Sequence, residues 1–241
     1  MNSDLEIIKL DASSLKNLVR DQWFLDVLFE VDVQKRSDLL RLYLLSEYGG
    51  LWADATVACT RPLSEWFDWR PQKGIFVLRA KKSNRLIQTF FLGSEPGSWF
   101  FRLWLRRLVR LLTSGAEPMT RGTLKRWQRR RPALWKNSFT VTFWSWESIA
   151  RRTGYPYLIP HYIANRLIWF RPGFGLAFRS CPVVYAGEAL HYESVVGGLS
   201  SVRTQLREGT FPVWKLSWRV DNNPTFWRGV LETINQLLDP A

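Results

Sequence analysis

The stretch Arg36-Ser-Asp-Leu-Leu-Arg-Leu-Tyr-Leu-Leu-Ser-Glu-Tyr-Gly-Gly-Leu-Trp-Ala-Asp-Ala-Thr56 decides the fold. From Ser37 to Tyr48 the apolar residues Leu39, Leu40, Tyr43 and Leu44 recur at helical spacing, and Gly49-Gly50 stops the helix. Asp38 is expected in its first turn, where the helix dipole favours an anion. Leu51 to Ala53 then reads as a strand, and Asp54 stands at its carboxyl end. Helix, Gly-Gly and strand in that order indicate α/β architecture. Asp38 and Arg41, three residues apart on one helical face, either act together on a ligand or form a plain helix ion pair. In an α/β sheet the ligand crevice lies at the carboxyl ends of the strands, so Asp54 either holds a cation or a substrate hydroxyl there or caps a turn.

Outward from this block the pattern continues. Ile7 to Leu10 reads as a short strand, followed by a Ser-capped helix from about Ser14 and further helical pattern from Trp23 to Phe29. Downstream, Thr56 to Ala58, Gly74 to Leu78 and Arg85 to Leu92 read as strands, with turns at Arg61-Pro62 and at Gly93 to Gly97. Helical pattern dominates from Ser98 to about Arg131, from Ser138 to Arg152 and from Pro156 to Ile168, with a Pro- and Gly-rich break at 171–175. No internal repeat or low-complexity tract interrupts it. The expectation is one domain over 1–241, an α/β part at 1–95 and a helix-rich part at 96–241.

Composition narrows the class. With 241 residues, 46% of them hydrophobic, the chain has material for a real core, which excludes a disordered chain. The two cysteines, Cys59 and Cys181, are too few for a disulfide framework or a Cys-based zinc site. The N-terminus has neither the basic nor the apolar region of a signal peptide, and no window reaches the ~18 uninterrupted apolar residues that span a bilayer. The net charge is +13, from 34 Lys and Arg against 21 Asp and Glu, which points to anionic company such as nucleic acid, phosphorylated substrate or acidic lipid. Eleven basic residues between Trp99 and Lys136 face one acid, Glu117, so nearly all of the excess sits there.

Single residues carry further expectations. His161, among Ile159 and Ile163, reads as a hydrogen-bonded core histidine rather than a ligand. His191, flanked by Glu188 and Glu193, is a metal or phosphate candidate. Lys215, between Trp214 and Trp218, either meets a phosphate as a point charge or is a solvated strand lysine whose stem packs on indole. No Gly-rich phosphate loop, Walker motif, G-x-S-x-G elbow or H-E-x-x-H is present, which removes the usual support for hydrolases and nucleoside-triphosphate enzymes.

The block quoted above resembles glycosyltransferases with a D-x-D sugar-binding region. Its closest likeness is to the capsular polysaccharide synthesis proteins, whose version ends as Trp52 to Val57 does here. Weaker similarity runs through Thr89 to Gly97, Tyr157 to Leu167 and Pro212 to Trp218. The resemblance implies a type A glycosyltransferase fold, a Rossmann-like mixed sheet flanked by helices, with donor binding in 1–95 and the acceptor side in 96–241. It implies transfer of a sugar from a nucleotide-sugar donor to a polysaccharide or glycolipid acceptor in capsule or surface polysaccharide synthesis. Carried over, Asp38, Arg41 and Trp52 contact the donor sugar or its nucleotide. Asp54 is then the acid of a manganese or magnesium site, with His191 as a further ligand candidate, and Lys215 meets phosphate. Thr56 replaces the second Asp of D-x-D. The resembling chains also open with an Ile-Pro-x-Ile-Ile-x-x-x-Trp strand, absent here ahead of Glu6 to Asp11. That implies a truncated frame or a reduced donor site, and an open sheet position beside Ile7 to Leu10.

Two other functional classes compete: a basic nucleic-acid-binding module, from the Arg and Trp mixture at 99–136, and a catalytically inactive scaffold. The helix from about Ser98 to Leu112 is basic and amphipathic. It either lies in the headgroup plane of an anionic membrane, placing the enzyme at the inner face of the cell membrane with lipid-linked acceptors, or buries its apolar face in the core. The expected location is cytoplasmic.

Overall fold

A computed structural model of the chain describes residues 5–66, 74–79, 86–113, 159–181, 198–208, 213–216 and 223–238. The elements in chain order are α1 (Ala12–Leu18), α2 (Gln22–Glu30), α3 (Val33–Glu47), β1 (Gly50–Ala53), β2 (Val57–Cys59), α4 (Leu63–Trp66), β3 (Ile75–Arg79), β4 (Ile87–Ser94), α5 (Trp99–Leu112), α6 (Ile159–Phe170), α7 (Pro172–Ser180), α8 (Gly198–Glu208), β5 (Val213–Lys215) and α9 (Pro224–Leu238). The class is α/β and helix-rich. The sheets among the described residues are small: three strands in the order β1-β4-β3, and the pair β2-β5. The chain forms two compact units. The larger comprises residues 9–52 and 71–184, the smaller residues 1–8, 53–70 and 185–241.

In the larger unit, β4 lies between β1 and β3, and all eight of its residues are buried. Continuous rather than alternating burial, polar Gln88, Thr89 and Ser94 included, marks a strand covered on both faces, and α3 and α6 both contact it. β3 pairs antiparallel with it, Val77 opposite Leu92, with a register irregularity at Val77/Leu78. On α5, Phe100, Phe101, Trp104, Leu105, Leu108 and Val109 are buried, and Phe100 stacks on Phe174 of α7. Most of the apolar face of this helix is therefore packed in the core, while Trp99 at its start is 51% exposed. Among the described residues no helix is long and apolar enough to cross a membrane.

In the smaller unit β2 and β5 pair antiparallel, Val57 opposite Lys215 and Cys59 opposite Val213. Ala58, Trp214 and Leu216 share a core with Val202 and Leu206 of α8 and Phe226, Val230 and Ile234 of α9.

Several sequence expectations change. Ile7 to Leu10 is not a strand: Ile7 and Ile8 are 85% and 56% exposed and among the described residues no strand pairs with them, so the open sheet position expected beside them is not seen there. The first helix is capped by Asp11, whose carboxylate accepts from the backbone of Ser13 and Ser14, while Ser14 Oγ accepts from Asp11 N–H. Ser14 is thus the third helical residue of a capping box, not the cap. α3 starts at Val33 because Asp32 accepts from Lys35 N–H, which moves Asp38 out of the first turn and away from the dipole argument. Residues 172–175 form a helical turn rather than a break, since Pro172 at the first position has its φ pre-set for helix. The expected helical pattern at 114–131 and 138–152 lies outside the described residues.

The turn from α3 into β1 depends on two glycines with positive φ, +70° at Gly49 and +85° at Gly50. A Cβ on Gly49 would lie 2.5 Å from Pro96 N and 2.7 Å from Ser94 O, whereas one on Gly50 meets nothing within 4 Å. Gly50→Ala is expected to cost only the left-handed strain, ~1–2 kcal/mol. Gly49→Ala adds a backbone collision worth a further ~1–3 kcal/mol. Thermal denaturation of the two variants should show the larger loss at Gly49, and equal losses would contradict this packing.

Candidate functional site

The expected site residues fall into two clusters, one in each unit. In the larger unit Arg41 is 6% exposed and every part of its guanidinium is engaged. Nε donates to Ser37 O at 3.2 Å, one terminal nitrogen to Thr89 O of β4 at 2.7 Å, and the other to Ser37 Oγ at 3.0 Å. The last also pairs with Asp38 Oδ1 at 3.3 Å, and the cation sits over the Trp52 ring, 5.3 Å from its centroid. Arg41 thus contacts both Asp38 and Trp52. The geometry also shows why Arg and not Lys stands here: a planar fork alone reaches a strand carbonyl, a helix carbonyl, a hydroxyl and a carboxylate at once. Arg41 is a latch between α3 and β4, and Asp38, half-buried, is the carboxylate it orients. Thr89 and Ser37 were missed, because a backbone carbonyl 48 positions away has no sequence signature.

The second cluster lies at the β2-β5 pair. Lys215 Nζ donates to Asp54 Oδ2 at 3.1 Å and also to Thr56 Oγ1. Leu216 N–H donates to Thr56 O at 2.9 Å, continuing the ladder past the register pair Val57 and Lys215. Val57 N–H bonds back to Asp54 O, so Asp54 to Val57 is a tight turn with both oxygen-bearing side chains against one ammonium. The side chains of Lys215 and Asp54 are only 14% and 21% exposed. The acid expected to hold a cation and the lysine expected to meet phosphate are therefore partners, across 161 positions of sequence.

This donor set does not fit a protein-held divalent cation. Such an ion wants several hard oxygens with negative charge, whereas here one carboxylate already has an ammonium on it. Among the described residues no three His, Cys, Asp or Glu side chains come together as a metal group. His191 lies outside the described residues. His161 is buried, with Nδ1 donating to Ile87 O at 2.8 Å, a core histidine that ties α6 to β4. Burial pushes both thiols, Cys59 and Cys181, up to about 11, so neither offers a thiolate nucleophile near neutral pH.

The larger unit also has a groove of about 610 Å3 whose lining includes Trp23 and Phe24 of α2, Tyr43 and Glu47 of α3 and Arg102 of α5. Phe24 stacks on Tyr43, Trp23 is 57% exposed, and Arg102 faces Glu47 at 3.6 Å. Flat apolar rings beside charged hydrogen-bonding groups suit a ligand with both apolar and hydroxylated faces.

Among known families, the one described as capsular polysaccharide synthesis protein matches residues 4–116. That part of the chain, a little under half of its 241 residues, is similar to the family. No curated protein and no solved structure matches. The capsular polysaccharide synthesis match contains Asp38, Arg41, Trp52, Asp54 and Thr56 and ends just after α5. Lys215 lies beyond it, and only the strand pairing brings it to the family's Asp54 turn.

The Arg41 latch yields a stability prediction. Arg41→Met leaves Asp38 without its cation and Thr89 O without its donor inside the core, which should cost ~3–5 kcal/mol. Asp38→Asn keeps the shape and most hydrogen bonds and should cost less than half of that. Urea unfolding of both variants checks the order, and a mild Arg41→Met would show that the guanidinium is not a structural tie.

Proposed function

We propose that the chain is a nucleotide-sugar-dependent glycosyltransferase of capsular polysaccharide synthesis. The observation that carries this reading is the convergence of Lys215 on Asp54 and Thr56, which puts a fixed cation at an acidic turn within the family match. In the transfer, an acceptor hydroxyl oxygen forms a bond to the anomeric carbon of the donor and gives up its proton to water. The bond from that carbon to phosphate breaks, and its electron pair leaves on the nucleoside diphosphate. Charge grows on the phosphate oxygens, and a preorganised cation lowers that cost without reorganising at the moment of reaction.

Lys215 is assigned that task. Asp54 and Thr56 are positioning residues, holding the ammonium at the strand end. A resident metal is not part of the proposal, because the Asp54 carboxylate serves the lysine. In the larger unit Asp38, oriented by Arg41, is assigned separately to saccharide hydroxyls, with Trp52 supplying an apolar face there. Arg41 itself acts through Asp38 rather than by contact. For the saccharide acceptor we assign the groove containing Trp23 and Tyr43, where rings stack on sugar faces and Glu47 accepts hydroxyl hydrogen bonds.

A thermal-shift panel of uridine and guanosine diphosphate sugars tests the donor class. A donor at a hundredfold excess over its Kd should stabilise the fold by ~2.7 kcal/mol. If no nucleotide sugar stabilises the folded chain, the proposal fails. Lys215→Met should lose that stabilisation and at least ~100-fold in transfer, the scale of losing one preorganised charge contact. Asp54→Asn should lose transfer to a similar extent in EDTA and in manganese. A loss confined to manganese would instead give Asp54 a metal.

A further inference from the structure

The larger unit holds a second basic centre, built from residues that the transferase reading does not use. Arg107 of α5, Arg166 of α6 and Arg171, the residue that caps α7, line a cleft of about 290 Å3 together with Ile163, Leu167 and Phe170. Arg107 and Arg166 are half-buried and Arg171 is exposed. The Arg166 guanidinium lies over the Phe170 ring, 5.5 Å from the centroid, which fixes its plane. Burial, and after it the positive charges of Arg171, Arg110 and Arg166, push the Arg107 pKa below its usual value. The cations are thus close enough to feel one another, at a cost that a bound anion converts into attraction.

Three features narrow the ligand. Guanidinium forks match the oxygens of a tetrahedral phosphate, and three of them call for more than one negative charge. The N-terminus of α7 begins at Arg171 and adds the partial positive charge of its dipole. The apolar wall of Ile163, Leu167 and Phe170 thins the water that would otherwise screen the charges.

We propose that this cleft is a phosphate-binding site, taking a diphosphate or phosphomonoester through Arg107, Arg166 and Arg171. The same chemistry is offered by a soluble diphosphate and by a lipid phosphate headgroup. The site is independent of the assignments to Lys215, Asp54 and Asp38, and stands or falls without them.

Inorganic pyrophosphate is the probe for the soluble arm and phosphatidic acid vesicles, against phosphatidylcholine, for the lipid arm, both with the full chain. Arg107→Gln and Arg166→Gln should each weaken binding about tenfold or more, the size of one lost charged hydrogen bond. Arg228→Gln, which removes the same charge from an exposed position on α9, should leave it unchanged. Pyrophosphate binding without vesicle retention assigns a soluble ligand. Vesicle retention that is lost in Arg107→Gln assigns a lipid headgroup. Either outcome supports the cleft, whereas binding to neither probe, or equal weakening by Arg228→Gln, overturns it. Phenylglyoxal labelling of the unmodified sequence adds a measurement that no folding defect can confuse. The probe that binds should protect Arg107, Arg166 and Arg171 and leave Arg228 reactive, and absence of that protection overturns the site.

Discussion

The larger unit depends on the burial of β4. A strand covered on both faces must satisfy whatever polar groups its ladders with β1 and β3 leave over from the elements above and below it, because water cannot reach them. α3 and α6 supply the partners. Arg41 donates to Thr89 O, Ser94 Oγ donates to Leu45 O, and His161 Nδ1 donates to Ile87 O. At the strand's start Asn165 Oδ1 accepts from Leu86 N–H. Polar side chains from two helices thus fix the strand in register and direction where hydrophobic contact alone is indifferent to small slides. Arg41, held by this strand, pairs with Asp38, so the candidate sugar contact is tied to a folding constraint.

The two ion pairs, one in each unit, work under different physics. Arg41 and Asp38 neighbour each other on one helix and need no folding to meet, so the fold adds burial and the Thr89 carbonyl rather than proximity. Lys215 and Asp54 meet only when β5 pairs with β2, and the loop closure is repaid by the core around Trp214 and Phe226. Desolvation nearly cancels the Coulomb gain of such pairs, so neither is strong evidence of stability. What they do provide is a charge at a fixed place, and that is the property a catalytic or binding site needs.

The same distinction explains what could be read from the sequence. α3, the Gly-Gly turn and β1 were legible because helical period and glycine signals are local, and the pairing of Asp38 with Arg41 was legible because their spacing is three. The Asp54 and Lys215 pairing was not, since period and spacing carry no information across 161 positions. Each residue was assigned a separate role that their contact revises. At Ile7 to Leu10 the apolar run was real, but a strand also needs a partner, which periodicity does not test. α7 was hidden by reading Pro172 and Gly173 as breakers, although a proline at the first helical position starts a helix.

The arginines of α5 show why an amphipathic pattern alone does not choose between a core and a membrane. The pattern fixes only that one face avoids water. Here Phe100, Phe101, Trp104 and Leu108 find aromatic and aliphatic partners in α6 and α7, so the core satisfies that face and the charged face remains to be explained. Solvation alone would scatter such charges or alternate them with acids. On this helix Arg102 has Glu47 as its counter-ion, whereas Arg107 has arginines of α6 and α7 as charged neighbours. Like charges gathered across three helices oppose packing at the very place where the helices close on one another. A fold that keeps them there does so at a cost, which is offset when an anion occupies the cleft.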